Sequence, residues 1–416
     1  MRPLRVLHVI PSVSPRDGGA TRALGIMERA LSAAGAQVTT LTTDHDIAPG
    51  DEPGVTAGPG GARRIYAHKW LTPYKVAPGL IPRLKRAVPE HDVVHIHALF
   101  SFASTAAAWA ARRAGVPYVV HPIGTLSGYG LRARRPRLKS ASMALVERRM
   151  LHGAAAVHFT SQAELEAAQA TGLPMRGVVI PLGVDATDVA GTGLSAGQAE
   201  PQARLPALPA GRRILLSLSR IDPIKNLEAL IDAVALSPVL RNSAALLIAG
   251  AGKSAYVTSL QRRAAAAGIA DITVWPGHID GAPKQAALAA ADIFVLPSFN
   301  ENFGLAAIEA LLAGVPCVLG KGVAVAAEIE LAGDGQAGAP EPTAVAAALE
   351  RLLAADGSLR QTMAKRARSL AEREFSATRM AQQLIALYAD IAKRPIAHAS
   401  TAAPSGSPSI ATDRSF

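Results

Sequence analysis

The feature that most constrains the fold is an alternation of short apolar runs with Ala-rich helical segments, and it occurs twice along the chain. Early in the sequence, Leu4–Ile10 and Val38–Thr43 are rich in β-branched residues and flank Thr21–Ala34, whose apolar residues recur at helical spacing. The alternation stops in a Pro- and Gly-rich stretch, 186–212, and then restarts. Strands that alternate with helices indicate βαβ units and parallel sheets. The sequence therefore predicts an α/β protein with two doubly wound, Rossmann-like domains.

The same patterns set the expected segment limits. We expect an N-terminal domain at 1–190, a linker at 191–212, a C-terminal domain at 213–375, a terminal helix at 376–393 and a disordered tail at 394–416. Ser376 is placed to cap the terminal helix, which is expected to return to the N-terminal domain. Ligands of open α/β sheets bind at the carboxyl ends of the strands, so a cleft between the facing domains is the expected site.

Composition excludes several classes of protein. The chain has 416 residues and is 49% hydrophobic, which is ample for two cores and too apolar for wholesale disorder. Its apolar stretches, 103–120 and 304–319, are interrupted by charges and fall short of the roughly 20 residues of a membrane span. The N-terminus lacks the apolar core of a signal peptide. A single cysteine, Cys317, excludes a disulfide framework, and a cytoplasmic location is expected.

The net charge of +11 indicates an anionic partner, which can be nucleic acid, an anionic membrane surface or an anionic substrate. The densest basic run has no interleaved aromatic residues on which bases could stack. Its members are Arg132, Arg134, Arg135, Arg137 and Lys139. A solvated face is the default interpretation of this run, and contact with an anionic membrane or a lipid-linked diphosphate is the alternative.

The most informative segment follows the predicted strand Ile293–Leu296. A loop carries Glu301, and a helix predicted over Gly304–Ala313 carries Glu309. The two carboxylates are separated by roughly 8–10 Å along the helix axis, which suits the two ends of an elongated polyhydroxy ligand. The helix N-terminus between them offers backbone N–H groups to an anion.

Two other loops bring cations or glycines to the end of a strand. Arg220 follows a predicted strand and Lys225 precedes the next helix, so the pair suits a diphosphate, and both side chains are expected to face a solvated cleft. Gly18 and Gly19 precede the first helix and allow the backbone to approach a ligand closely. This loop lacks the G-x-G-x-x-G fingerprint of dinucleotide-binding proteins.

Two histidines on one predicted strand raise the question of a metal site. His95 and His97 lie on one face of the strand, because side chains alternate with a period of two. Without an obvious third ligand, we expect these residues to be structural or to line the cleft.

Taken together and in this order, the motifs resemble family-4 retaining glycosyltransferases of the GT-B fold. The resemblance spans about residues 4–393 and rests on Gly18-Gly19, His121–Thr125, Pro181–Asp185, Arg220 with Lys225, Ala249-Gly250, Gly277-His278 and the E-x7-E block Glu301–Glu309. It implies an N-terminal acceptor domain that faces a C-terminal nucleotide-sugar donor domain. The sequence departs from the family pattern at Leu182, where Asn is usual, and at 323–330, where a Gly-rich loop is usual.

The resemblance also implies a role for individual residues. Glu309 would hold the nucleotide ribose and Glu301 the donor sugar hydroxyls, while His121 would lie beside the transferred sugar. The implied catalytic residues are His121, Arg220, Lys225 and Glu301. The implied donor-binding residues are Gly18, Gly19, Arg220, Lys225, Gly250, His278, Glu301, Asn302, Phe303, Gly304, Leu305 and Glu309.

The implied activity is transfer of a hexose from a UDP- or GDP-hexose to an acceptor hydroxyl with retention, in bacterial surface-polysaccharide assembly. The implied acceptor is a saccharide or a polyprenyl-diphosphate-linked saccharide, with peripheral contact at the inner face of the plasma membrane. No cofactor or metal is expected. Asp44 and Asp46 form a D-x-D, which grips Mn²⁺ in the other major glycosyltransferase fold, but here the motif follows the second strand of a Rossmann-like domain.

Three alternatives stay open. A sugar-nucleotide 2-epimerase shares the two-domain architecture and would need acid and base residues around the anomeric centre. A non-catalytic sugar-nucleotide-binding subunit would keep the same pocket. Charge alone allows a nucleic-acid-binding protein, which predicts steeply salt-dependent binding to random DNA, although the motifs favour no nucleic-acid partner.

Overall fold

Two separate, predominantly parallel sheets form the protein, as the sequence predicts. The structure is a computed structural model that describes residues 2–14, 18–47, 54–132, 136–185, 208–333 and 335–393. The predicted tail, most of the predicted linker and the centre of the basic run, including Arg134 and Arg135, lie outside these residues.

The strands alternate with helices as predicted, and Arg5–Val9, Gln37–Thr43 and Ile293–Leu296 begin and end within one residue of the predicted limits. In chain order they are β1 (Arg5–Val9), β2 (Gln37–Thr43), β3 (Val55–Ala57), β4 (Arg63–Ala67), β5 (Val93–His97), β6 (Tyr118–His121), β7 (Ala156–Phe159), β8 (Gly177–Val179), β9 (Arg213–Leu218), β10 (Ala244–Ala249), β11 (Thr273–Gly277), β12 (Ile293–Leu296), β13 (Cys317–Gly320) and β14 (Gly335–Gly338). The pattern did not predict β3, β4 or β14.

The two sheets have the same type of doubly wound topology. The first has the strand order β3-β4-β2-β1-β5-β6-β7-β8, and the second has the order β11-β10-β9-β12-β13-β14. All neighbouring strands pair in parallel except β3 and β4. In each sheet the strand order reverses at the domain's first strand, β1 or β9. Ligands of doubly wound sheets bind at such switch points, so the loops after β1 and β9 are the expected binding loops.

Helices cover the faces of both sheets. They are α1 (Gly19–Ala33), α2 (Leu80–Ala87), α3 (Phe102–Ala114), α4 (Gly128–Arg132), α5 (Pro136–Ser142), α6 (Arg148–His152), α7 (Gln162–Gln169), α8 (Leu227–Leu236), α9 (Pro238–Ser243), α10 (Ser254–Ala266), α11 (Gly281–Ala290), α12 (Leu305–Leu312), α13 (Ala326–Leu331), α14 (Pro342–Leu353), α15 (Gly357–Glu374) and α16 (Ala377–Ile391). Between α5 and α6 the chain forms a π-helical turn, Met143–Glu147.

The terminal helix α16 packs against the N-terminal domain. Ser376 caps it by accepting a hydrogen bond from the Arg379 amide at 3.3 Å. The helix contacts α1 and buries Met380, Leu384 and Tyr388. The hydroxyl of Tyr388 lies 2.7 Å from Nδ1 of His95 on β5, so the last helix is joined to the first sheet.

Candidate functional site

The two switch-point loops meet across the cleft. Gly18 precedes α1 with φ of 64°, and a Cβ atom placed on it would lie 3.5 Å from Cδ of Arg220. Arg220 follows β9 and its side chain is exposed. The glycine loop of the N-terminal domain therefore lies against a cation of the C-terminal domain, as a diphosphate site shared by both domains requires.

Gly250 is fixed by the close approach of two loops after neighbouring strands. It follows β10 with φ of 154°, and a Cβ atom at this position would overlap the carbonyl oxygen of Ser219. Its amide donates to the carbonyl of Gly277 at 2.7 Å, which brings in the loop after β11. His278 is exposed at the start of that loop. A glycine at 250 thus lets the segments at the ends of β9, β10 and β11 converge.

Lys225 and Glu301 form an ion pair at the carboxyl edge of the second sheet. The expectation that Lys225 faces a solvated cleft is wrong, because the lysine is 6% exposed. The reason is that the Phe299 amide donates to the Ile224 carbonyl at 2.9 Å, which seats the Glu301 loop over the lysine. Burial, together with the nearby Arg220 charge, lowers the pKa of Lys225 to about 8.

Glu309 lies inside α12 and is 1% exposed. Its carboxylate forms one ion pair with Arg22 of α1 and another with Lys284 of α11, whose Nζ lies 3.6 Å from Oε2. Sequence reasoning missed both cations. The position of Arg22 on the first helix, three residues after Gly19, could have indicated that it faces the cleft. No local sequence feature indicates a role for Lys284. A buried carboxylate held by one cation from each domain therefore joins the two domains at α12.

The N-terminus of α12 lies between the two carboxylates. Gly304 is its N-cap with φ of 95°, a conformation that favours glycine, and Leu305 is the first helical residue. Phe303 is buried and packs edge-on against Phe375. The first amides of a helix have no partner within it, so this end offers N–H groups to an anion.

Asn302 faces the N-terminal domain. A Cβ atom on Gly124 would lie 2.6 Å from Oδ1 of Asn302, and Thr160 Oγ1 lies 3.5 Å from the Asn302 carbonyl. Glu164, which sequence reasoning missed, braces this contact by accepting from the Gly124 amide at 2.7 Å and the Thr160 amide at 2.8 Å. Burial raises the pKa of Glu164, and the bonds that it accepts oppose that rise.

His121 belongs to a buried layer of five imidazoles on the first sheet, here called the histidine cluster. Its members are His8, His95, His97, His121 and His158, which come from β1, β5, β6 and β7. Nδ1 of His8 lies 2.8 Å from Nε2 of His97, and Nδ1 of His97 lies 3.4 Å from Nδ1 of His121.

Burial keeps the cluster neutral. It lowers the pKa of His8 to about 3 and that of His158 to about 4. The pKa values of His95, His97 and His121 are also lowered well below 6.5, mainly by burial and further by the neighbouring imidazoles. His97 and His121, which end their strands, are each 2% exposed and the other three are fully buried.

The D-x-D carboxylates contact protein donors. Asp44 accepts from the Lys69 amide at 2.8 Å and lies 2.7 Å from Nδ1 of His68. Asp46 accepts from Ser14 Oγ at 2.6 Å. Both carboxylates therefore hold the loop after β2 in place.

No helix among the described segments has the length and apolar character needed to cross a membrane.

Comparison with known proteins identifies the family. Residues 18–183 match the glycosyl transferase 4-like domain, and residues 200–370 match the glycosyl transferases group 1 family. A D-inositol 3-phosphate glycosyltransferase of Actinosynnema mirum is 31% identical over 330 residues, which are 74% of this chain and 75% of the relative. The enzyme of the same name from Salinispora arenicola is 30% identical over 429 residues, 94% of this chain and 92% of the relative.

Solved structures support the same fold. A sucrose-phosphate synthase from Thermosynechococcus elongatus aligns with a TM-score of 0.74 at 21% identity, over 93% of this chain and 99% of that one. Anabaena HepE in complex with UDP-glucose aligns with a TM-score of 0.69 at 20% identity, over 93% of this chain and 100% of that one. The chain belongs to the group 1 glycosyltransferases, enzymes of the GT-B fold whose N-terminal half is a glycosyl transferase 4-like domain.

Proposed function

We propose that this glycosyltransferase moves a hexose from a UDP- or GDP-hexose to an acceptor hydroxyl with retention at the anomeric carbon. The observation that carries the proposal is the pairing of Lys225 with Glu301 beside Arg220 and the N-terminus of α12. Cations suited to a diphosphate and a carboxylate suited to sugar hydroxyls already stand next to each other.

The chemical problem is the charge of the leaving group. Breaking the anomeric C–O bond puts negative charge on the diphosphate and oxocarbenium character on the sugar. Arg220, Lys225 and the α12 amides are fixed positive ends that would meet that charge, and one such group is worth roughly 3–4 kcal/mol. On binding, the donor would separate the ion pair, so that Lys225 meets phosphate and Glu301 meets the sugar.

Retention is proposed to proceed by attack on the face that the diphosphate leaves. The acceptor oxygen bonds to the anomeric carbon, the bond from that carbon to phosphate oxygen breaks, and the phosphate oxygen takes the acceptor proton. Neutral His121, at the cleft end of β6, would lie beside the transferred sugar. Closure of the domains would exclude water and limit hydrolysis. In this scheme no metal or cofactor is needed at the diphosphate.

A lipid-linked acceptor is supported by exposed apolar side chains on two neighbouring segments of the N-terminal domain, here called the apolar patch. They are Trp70, Leu71, Leu138 and Leu145, which are 69%, 59%, 50% and 68% exposed. Tyr74 joins its two segments by hydrogen bonds to Ser142 and, at 3.4 Å, to Glu147.

The helical segments that carry Leu138 and Leu145 are also basic. Exposed residues of the same helical segments include Arg137, Arg148 and Arg149. Apolar side chains within a basic surface suit an anionic membrane, with about 1 kcal/mol from each cation near the lipid. We therefore propose a cytoplasmic enzyme that docks on the inner leaflet and glycosylates a polyprenyl-diphosphate-linked saccharide. A surface-polysaccharide pathway would supply such an acceptor.

The curated relatives favour a second class of acceptor. Their name, D-inositol 3-phosphate glycosyltransferase, describes transfer to a water-soluble phosphorylated polyol. Such an acceptor would need no membrane, so the two classes are separable by experiment.

The test is an assay of nucleoside diphosphate release with UDP- and GDP-hexoses and each acceptor class. Acceptor-dependent release, with the donor's anomeric configuration kept in the product by NMR, is expected. Vesicles with anionic lipid should bind the wild type and bind Trp70→Ser with Leu145→Ser weakly. Release without an acceptor product would favour a 2-epimerase, and donor binding without turnover would favour a non-catalytic subunit.

A further inference from the structure

The histidine cluster contains several buried nitrogens without a hydrogen-bond partner. Four ring nitrogens are buried and lack a partner: Nε2 of His8, Nε2 of His95, Nε2 of His121 and Nδ1 of His158. Buried polar atoms are normally paired, so a group of orphaned ring nitrogens points to an additional ligand. The proposed transfer reaction places only His121 beside the substrate and gives the other four imidazoles no role.

Three of the imidazoles converge. His95, His121 and His158 each offer a ring nitrogen, and the three nitrogens lie within 4.8 Å of one another. Each of these residues also has one orphaned nitrogen. A second convergent set consists of His8, His95 and His97, but both nitrogens of His97 already contact other imidazoles. The first set is therefore better prepared for a ligand.

In each of His95, His121 and His158, the ring nitrogen that is not orphaned can donate a hydrogen bond to a neighbouring acceptor. Nε2 of His158 lies 2.8 Å from the Ile180 carbonyl, which only accepts, so the neutral ring presents the lone pair of Nδ1 to the cluster. If Nδ1 of His95 donates to the Tyr388 hydroxyl, Nε2 of His95 presents its lone pair too. If Nδ1 of His121 donates to His97, the same holds for Nε2 of His121.

This arrangement matches the shell around metal-bound histidines. Such residues donate their second ring N–H to a carbonyl or another acceptor, which fixes the tautomer and orients the ligand nitrogen. Here a backbone carbonyl, a phenol and an imidazole occupy those places. Bound transition metals also require neutral imidazoles, which burial provides in this cluster.

We propose that His95, His121 and His158 bind a divalent transition-metal ion of the zinc class. Three imidazoles with one open position form a known zinc ligand set. Ions that prefer oxygen ligands, such as Mg²⁺, should not bind, because no carboxylate belongs to either convergent set in the described part of the chain. The ion would join three strands of the first sheet and, through His95 and Tyr388, brace α16.

The first experiment titrates metal-stripped full-length protein with Co²⁺ and Zn²⁺. One equivalent of Co²⁺ should give the visible absorption of a four-coordinate, nitrogen-ligated site, and Zn²⁺ should abolish it. Zinc at about 100 times its Kd should raise Tm by about 5 °C, and Mg²⁺ should not change Tm. If wild-type protein shows neither the absorption nor a zinc-dependent Tm shift, the proposal is wrong.

Two variants and a control locate the ion. His158→Leu should lose stoichiometric binding, whereas His152→Ala, which removes an exposed histidine outside the cluster, should keep it. Tyr388→Phe keeps the ring but removes the hydroxyl that orients His95, and should weaken affinity about 10–100-fold. Circular dichroism checks the fold of each variant. Unchanged Co²⁺ absorption and affinity in a folded His158→Leu would place the ion elsewhere and overturn the assignment.

Discussion

The carboxyl edges of the two sheets face the same cleft with opposite chemistry. The second sheet presents charges, with Lys225 paired to Glu301 and Glu309 held by two cations. The first sheet presents the histidine cluster, which burial keeps neutral. Because the two sheets are otherwise built alike, the difference comes from a few residues at the strand ends. We infer that charged side chains of the second sheet stabilise the diphosphate, whereas the imidazoles of the first sheet carry no charge of their own.

The charged side chains at the edge of the second sheet already form ion pairs with one another or with Arg22 before a donor binds. A buried lysine or glutamate without a partner would carry a large desolvation cost, and pairing offsets it. The donor would exchange these protein partners for phosphate and hydroxyl groups. This comparison predicts that loss of a charge from the second sheet costs activity, in an order set by how close each group lies to the diphosphate.

The largest loss is expected from the two diphosphate cations. Arg220→Ala and Lys225→Ala should each lower kcat/KM about 10²–10³-fold, because each removes a charge that stabilises the departing diphosphate. Steady-state kinetics with the true donor checks this.

Lys365→Ala, which removes an exposed lysine of α15, is the matched control and should keep wild-type kinetics. Near-wild-type turnover by either cation variant would remove that residue from the site. Lys225→Ala should also lower Tm, because it leaves Glu301 without its partner.

A smaller loss is expected at the ribose end. Glu309→Gln should raise KM for the donor about tenfold and change kcat little, since a hydrogen bond to a charged group contributes about 1.5–3 kcal/mol and the amide keeps part of it. Glu350→Gln, which alters a carboxylate bonded to Ser237, is the control. A drop in kcat with KM unchanged would mean that Glu309 acts in the chemical step.

The pH profile should separate the two edges. Lys225 has a lowered pKa of about 8, so the folded enzyme holds the ammonium below that pH and loses it above. We expect kcat/KM to fall about tenfold per pH unit above pH 8. The variant Lys225→Arg should not show this decrease above pH 8, even if its overall activity is low. A decrease that persists in Lys225→Arg would come from the titration of another group.

The smallest effect is expected from metal removal at the donor site. Initial rates measured within minutes of adding excess EDTA should match the untreated rate, because Arg220 and Lys225 already meet the diphosphate charge. The Asp44→Ala, Asp46→Ala double variant should lose less than about tenfold, since both carboxylates contact protein donors. Complete loss that added metal reverses would contradict the division between the edges.

The strand pattern was predictable because it is local. Ile293–Leu296 has the predicted limits, since apolar β-branched runs bounded by turn residues specify buried parallel strands. The π-helical turn between α5 and α6, by contrast, has no side-chain periodicity that would predict it. Short edge strands such as β14 have too few apolar residues to show a period.

The contacts of the site were only partly predictable. The E-x7-E spacing marked both carboxylates, but their partners lie far away in sequence, with Lys225 76 residues from Glu301. Only the fold brings such residues together. The histidine cluster is spread over four strands at about one residue per strand, so His8 and His158 have no local signal. The sequence singled out only His95 and His97, which share one strand, and His121, which the family resemblance marked.

The measurement that tests the account most directly is a crystal structure with a bound nucleoside diphosphate. We predict that the diphosphate contacts Arg220, Lys225 and the amides at the N-terminus of α12, with the ribose at Glu309 and the Lys225–Glu301 pair separated. A diphosphate seated on the first sheet, or one that touches neither Arg220 nor Lys225, would contradict the assignment of charge to the second sheet.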